Sequence, residues 1–263
     1  MIPFLSIIFF VLGLVIGSFL NVVICRYNTA RSFGGRSACM SCRSTLSWYE
    51  LVPLLSYLCL RGRCNSCQTR ISAQYPLVEF VTGLLFLALF LKFQDMFFAY
   101  VIPFAITYAY YAAIFSLLVV IAVYDYKHKI IPDGFSLMFG ALAFIGLFFF
   151  ESYGLHPHLP NLYDFLAGPL IAIPFAGLWL LSRGTWMGLG DAKLAVGLGW
   201  LLGLSRALSG VVLAFWIGAI IGIILVIFGR VYGMKSEIPL APFLVLGAIA
   251  AFLFELHIFY ITI

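Results

Sequence analysis

Long apolar runs separated by brief polar punctuation dominate the chain. Eight are legible, at about 3–24, 77–93, 98–124, 134–150, 165–182, 189–204, 207–229 and 239–262, lengths that suit or approach a helix crossing the roughly 30 Å hydrocarbon core of a bilayer. In hydrocarbon every backbone N–H and C=O must find a partner inside the protein, so such runs predict helices. The second, fourth and sixth are short, roughly 16–17 residues, near the lower limit for crossing. The sixth carries Gly197, Gly199 and Gly203, small residues that let neighbouring helices approach closely. Residues 25–76 break the rhythm with a polar, basic, cysteine-bearing stretch. The pattern predicts an all-α polytopic membrane protein of about eight transmembrane helices with a small loop domain between helices 1 and 2. The divisions are a first helix over 1–24, the loop domain over 25–76, and a seven-helix membrane domain over 77–263.

Composition strengthens this picture. Apolar residues make up 64% of the chain and charged residues 10%, with a mean hydropathy of +1.11, which excludes an ordinary soluble domain. The first run has no basic segment before it and no small-x-small cleavage site, so it reads as a retained anchor. Charge then sets orientation. Arg26, Arg31, Arg36, Arg43, Arg61, Arg63 and Arg70 crowd the loop domain against one acid, Glu50. Basic residues stay in the cytoplasm, so the loop domain is predicted inside and both termini outside. Alternating crossings place Lys127, Lys129, Arg183, Lys193, Arg230 and Lys235 inside too; only Lys92 and Arg206 fall outside. Residues 151–164 carry no Lys or Arg and fit the outer face. The net charge of +5 is thus a membrane-orientation signal, with some attraction to anionic lipid, and needs no nucleic-acid partner.

Against this background the ionisable residues at the ends of the apolar runs become candidates for chemistry. Gly188-Leu189-Gly190-Asp191-Ala192-Lys193 opens the sixth run, and Asp125 closes the third. The crossing order brings both aspartates to the cytoplasmic face, and two carboxylates at one depth are what an aspartyl protease needs. Helix ends favour Asp191, at an N-terminus, as the anion and Asp125, at a C-terminus, as the acid. Gly188 and Gly190 remove bulk beside Asp191, so a substrate backbone can approach. Lys193 either pairs with a carboxylate or reaches the lipid phosphates. Asp133, after Pro132, is placed to cap the fourth helix. Asn21 lies with Gly17 and Ser18 on one small, polar face, read either as helix packing or as a wall of a substrate groove. Glu79, three residues after Pro76, either pairs with an arginine such as Arg70 or lines a site.

The loop domain holds Cys39-x-x-Cys42 and Cys64-x-x-Cys67. Paired knuckles of this spacing read as a four-thiolate zinc site, closed and therefore structural; two disulfides or a redox pair are the alternatives. Cys25 and Cys59 lack the spacing. Trp48 to Leu58 is apolar but too short to span, so it packs on the zinc module or lies on the membrane surface.

Taken in order, Gly17-Ser18-Phe19-Leu20-Asn21, the paired knuckles, Gln74-Tyr75-Pro76-Leu77-Val78-Glu79, Asp125 to Pro132-Asp133, Gly188-x-Gly190-Asp191-x-Lys193 and Ile238-Pro239-x-x-Pro242-Phe243 closely resemble the type IV prepilin peptidase family over nearly the whole chain. The resemblance implies a GxGD-type membrane aspartyl protease of the bacterial inner membrane with Asp125 and Asp191 as its catalytic pair. It implies prepilins or type II secretion pseudopilins as substrates, cut after glycine at the cytoplasmic face. It also implies methylation of the new N-terminal residue, usually phenylalanine, by S-adenosylmethionine, for which we look near Glu79 and the zinc loop. The first knuckle lacks the proline frequent after its first cysteine, Glu50 stands near where an asparagine is usual, and Tyr27-Asn28 replaces leucine-proline. The competing readings are a protease without methyl transfer, a zinc-regulated transporter, and a secretion scaffold without chemistry.

Overall fold

The computed structural model describes residues 2–29, 32, 34–151, 154–228 and 238–258. The chain forms two compact units, Met1–Asp95 and Met96–Ile263.

The first unit holds helix α1 (Ile2–Arg26), a 3₁₀ turn (Trp48–Leu51), a short helix α2 (Leu55–Cys59) and most of α3 (Gln74–Ala99). Two glycines let α1 press against α3. A Cβ on Gly13 would stand 2.7 Å from the Phe86 Cβ, and one on Gly17 would stand 2.7 Å from the Glu79 Cα. Phe9 and Phe90 stack above this contact with ring centroids 4.5 Å apart. Phe4, Ile7, Val11 and Val15 lie exposed along α1, the surface a lipid-facing helix presents. Trp48, Leu55 and Leu58 are also exposed rather than packed on the knuckles.

The second unit runs α4 (Val101–His128), α5 (Asp133–Gly146), a hairpin of β1 (Phe150–Glu151) and β2 (Gly154–Leu155), α6 (Leu162–Ser182), α7 (Leu189–Leu202), α8 (Leu204–Phe228) and α9 (Ala241–Leu253). Its core is built on α4, where Ile114, Phe115, Leu118 and Ile121 are buried, with Phe139, Leu194, Leu198 and Phe252. The α7 helix is drawn in by its glycines. A Cβ on Gly199 would lie 2.5 Å from the Ala167 carbonyl oxygen of α6, and one on Gly197 would strike the Phe139 ring of α5. Gly203, at φ 73°, turns α7 directly into α8, and Arg206 Nε donates to the Leu202 carbonyl at 3.0 Å.

Each of the eight apolar runs therefore contains a helix. Among the described residues α1, α3, α4, α6 and α8 are long and apolar enough to cross a membrane, while α5 and α9 are shorter apolar helices; α7 spans 14 residues. The bounds differ most in two places. The second run is not short, because α3 has 26 residues. It starts at Gln74, so that Pro76 falls in the first turn, where its missing N–H costs nothing, and it continues past Lys92. The last helix stops at Leu253. Arg31, Arg230, Lys235, residue 229 and residues 259–262 lie outside the described residues.

Candidate active site and metal centre

Asp125 lies in the last turn of α4, only 5% exposed. The chain leaves the helix at Lys129, in the left-handed conformation, whose N–H donates to the Asp125 carbonyl at 2.6 Å. The Asp125 carboxylate accepts the N–H of Ala241 at 3.2 Å. Ala241 is the first residue of α9, and the first N–H groups of a helix have no partner within it. Asp125 thus caps α9 from another helix. The Pro242 that follows removes one more unpaired donor at the same end.

Asp191 lies in the first turn of α7, whose N-cap is Gly188. Its carboxylate is half-buried, hydrogen-bonds the Gly188 backbone, and interacts electrostatically with Asp125. The two aspartates, distant in sequence, are brought to one end of the second unit. The helix-end asymmetry expected between them does not survive. Asp125 does close its own helix, but its carboxylate meets the positive end of α9, so both carboxylates face a helix N-terminus.

The surrounding residues acquire specific tasks. Asp133 is not an N-cap: Pro132 takes that position, with no side-chain cap bond, and Asp133, one residue later, pairs with Lys193 Nζ at 2.6 Å. The pair ties the α4–α5 turn to the first turn of α7. With side chains 45% and 78% exposed, it contributes about 0–1 kcal/mol, so it positions rather than stabilises. A Cβ on Gly190 would lie 2.9 Å from the Ile131 Cβ. Gly190 therefore admits the buried Ile131 of the α4–α5 turn. A Cβ on Gly188 would meet only the Asp191 carboxylate and the Gly190 backbone nitrogen, both at 3.9 Å, an ordinary van der Waals contact.

The first unit carries a separate centre. Its two knuckles share one conformation. The Cys39 N–H donates to Ser44 and the Cys64 N–H to Thr69, while Arg43 and Gln68 return hydrogen bonds to Cys39 and Cys64. Arg43 and Gln68 both have positive φ, 59° and 57°. Cys39, Cys42, Cys64 and Cys67 place their sulfurs within 4.8 Å of one another, and all are free thiols. Metal–sulfur bonds of about 2.3 Å in a tetrahedron put sulfurs about 3.8 Å apart, and Cys39 Sγ and Cys67 Sγ are 3.8 Å apart. The four residues fit a tetrahedral metal ion. The Thr69 hydroxyl and N–H lower the Cys67 thiol to about 6.

Glu79 is 8% exposed and Asn21 2%. Glu79 does not reach for Arg70; its carboxylate accepts the Leu54 N–H at 2.9 Å, and Ser18 hydrogen-bonds it as well. Asn21 Nδ2 donates to the Tyr75 carbonyl at 3.0 Å, leaving its buried Oδ1 without a partner among the described residues. A buried carboxylate and an orphaned acceptor on one helix interface suit a cationic ligand.

Sequence reasoning missed Ala241, Ile131 and Leu54. The first had a signal, since prolines opening an apolar run mark a helix start and hence free N–H groups. Ile131 and Leu54 look like any apolar residue until the fold places them.

Two family descriptions match the chain: "Bacterial Peptidase A24 N-terminal domain" over residues 11–93 and "Type IV leader peptidase family" over residues 112–227. A prepilin leader peptidase/N-methyltransferase of Myxococcus xanthus is 39% identical over 241 residues, 89% of this chain and 67% of that protein. One from Bacillus subtilis is 32% identical over 94% of this chain and 93% of its own. A type 4 prepilin-like proteins leader peptide-processing enzyme of Escherichia coli O78:H11 is 31% identical over 90% of each. No solved structure matches.

Proposed function

Because the chain belongs to the type IV leader peptidase family and is a prepilin peptidase with N-methyltransferase activity, we propose that Asp125 and Asp191 are its catalytic dyad. The observation that carries this is the placement of two carboxylates, near enough to interact, at one end of a helical unit, Asp125 on the first N–H of α9 and Asp191 in the first turn of α7. Two such groups hold one proton between them, because the second charge is costly. The ionised carboxylate takes a proton from water, which attacks the carbonyl of the glycine before the scissile bond. The protonated carboxylate hydrogen-bonds that carbonyl oxygen and then protonates the leaving amine. The uncrowded side of Gly188, with no atom closer than 3.9 Å to an added Cβ, receives the substrate backbone. The Asp133–Lys193 pair holds the α4–α5 turn against α7, so that the approach to the dyad keeps its shape.

Methyl transfer belongs, in this reading, to the first unit. Glu79 and Asn21 hold the cationic portion of S-adenosylmethionine, which supplies the methyl group. The four cysteines hold a structural zinc ion that orders the loop carrying Leu54, and hence the Leu54 N–H on Glu79. Substrates are prepilins or type II secretion pseudopilins with a basic leader. The enzyme lies in the bacterial inner membrane with loop domain and dyad at the cytoplasmic face.

Mass spectrometry of a prepilin incubated with the purified protein and S-adenosylmethionine tests both assignments. Asp125→Asn and Asp191→Asn each lower cleavage by at least about 100-fold, the minimum expected of a general acid or base. Glu79→Gln retains cleavage and loses the added methyl group. Cleavage undiminished in either aspartate variant removes the dyad, and full methylation by Glu79→Gln removes the second site.

A further inference from the structure

The connection between α5 and α6 contains Glu151, His156 and His158, which the chemistry above leaves unused. In the hairpin, Phe150 lies opposite Leu155 and Glu151 opposite Gly154. Pairing continues past the strands, the His156 N–H donating to the Phe149 carbonyl at 2.8 Å and the His158 N–H to the Phe148 carbonyl at 3.0 Å. Side chains alternate along a ribbon with period two. With Phe149 opposite His156, this register puts Glu151, His156 and His158 on one face and Phe150 on the other. Phe150 anchors its face, stacking on Tyr110 with ring centroids 3.9 Å apart.

The free face gathers three ligands on one point. Glu151 Oε1 is 3.7 Å from Nδ1 of both His156 and His158, and one ligand atom from each residue lies within 4.8 Å of the others. Ligands about 2.1 Å from a tetrahedral ion stand about 3.4 Å apart, so closure needs only a small side-chain movement. The His158 Nδ1 also contacts the His156 carbonyl at 2.8 Å; ligation through Nε2 keeps that contact as the one that orients the imidazole, and ligation through Nδ1 replaces it. A cation placed among them would bind both imidazoles and the carboxylate at once.

We propose that Glu151, His156 and His158 form a second metal site, for a zinc-like divalent transition ion, that clamps the α5–α6 connection. Two nitrogens and a carboxylate select zinc, nickel or copper over magnesium or calcium. With three protein ligands the site keeps a position for water. It is separate from the dyad: Asp133, paired with the α7 lysine, opens α5, and the hairpin follows the far end of this 14-residue helix, about 21 Å away along its axis.

Tag-free full-length protein, loaded with zinc until its thiols are saturated, is titrated with further Zn²⁺ by calorimetry, and in parallel with Co²⁺ by absorption. Wild type takes up one additional equivalent. Cobalt there shows weak ligand-field bands without thiolate charge transfer. Glu151→Gln weakens this uptake at least about tenfold, and His156→Ala/His158→Ala removes it, while prepilin cleavage by the variants stays at the wild-type rate and reports an intact fold. No additional equivalent in wild type, or undiminished uptake by the double histidine variant, overturns the site.

Discussion

A single missing Cβ sets the distance between the turn after α4 and the start of α7. Ile131 would lie 2.9 Å from a side chain at Gly190, whereas nothing closer than the Asp191 carboxylate faces Gly188. The two glycines flanking Leu189 therefore do different work, and substitution separates them. Gly190→Ala overpacks a buried contact, at a cost of about 1–3 kcal/mol, and lowers both the thermal midpoint and cleavage. Gly188→Ala leaves the midpoint unchanged and lowers cleavage alone, because it fills substrate space. Thermal unfolding in detergent beside a cleavage assay reads both. Equal loss of stability in the two variants would contradict the distinction.

At the scale of the element, each cysteine knuckle is a local device of fixed conformation, and its chemistry is tuned by a neighbour. The Thr69 hydroxyl and N–H lower the Cys67 thiol to about 6. A lowered thiol is thiolate above its own pKa and protonated below it, so at pH 7 Cys67 is ready to ligate with little proton competition. In metal-free protein its alkylation rate rises as pH increases through about 6 and is flat above pH 7, a profile that mass spectrometry of the labelled peptide follows. Thr69→Ala moves the rise upward. An unshifted profile in that variant would refute the tuning. The two knuckles were plain in the sequence because four thiols at that spacing leave few alternatives. Their matching φ values at Arg43 and Gln68 were not, since neither residue type signals the left-handed region.

Across the whole molecule, charge and hydropathy define a multi-pass membrane protein, and the orientation we propose has a direct test. Cys59 is exposed on the loop domain and Leu159, in the α5–α6 connection, is 87% exposed. A membrane-impermeant maleimide added to intact spheroplasts labels Leu159→Cys and spares Cys59; disruption of the membrane exposes Cys59 to label as well. The reverse pattern would invert the topology.

Apolar length is a local property and hydrocarbon permits little but helix, so the helices were legible along the chain alone. Alternating crossings led to the expectation of Asp125 and Asp191 at one membrane face, and spacing grouped the four cysteines. Tertiary structure alone decided their partners. Ala241 capping α9 on Asp125, Lys193 choosing Asp133, Leu54 donating to Glu79, and Glu151 meeting His156 and His158 across a hairpin all depend on register between segments. Register is set by packing at glycines such as Gly17, Gly190 and Gly199, and an apolar run of given length accepts many registers until those contacts select one.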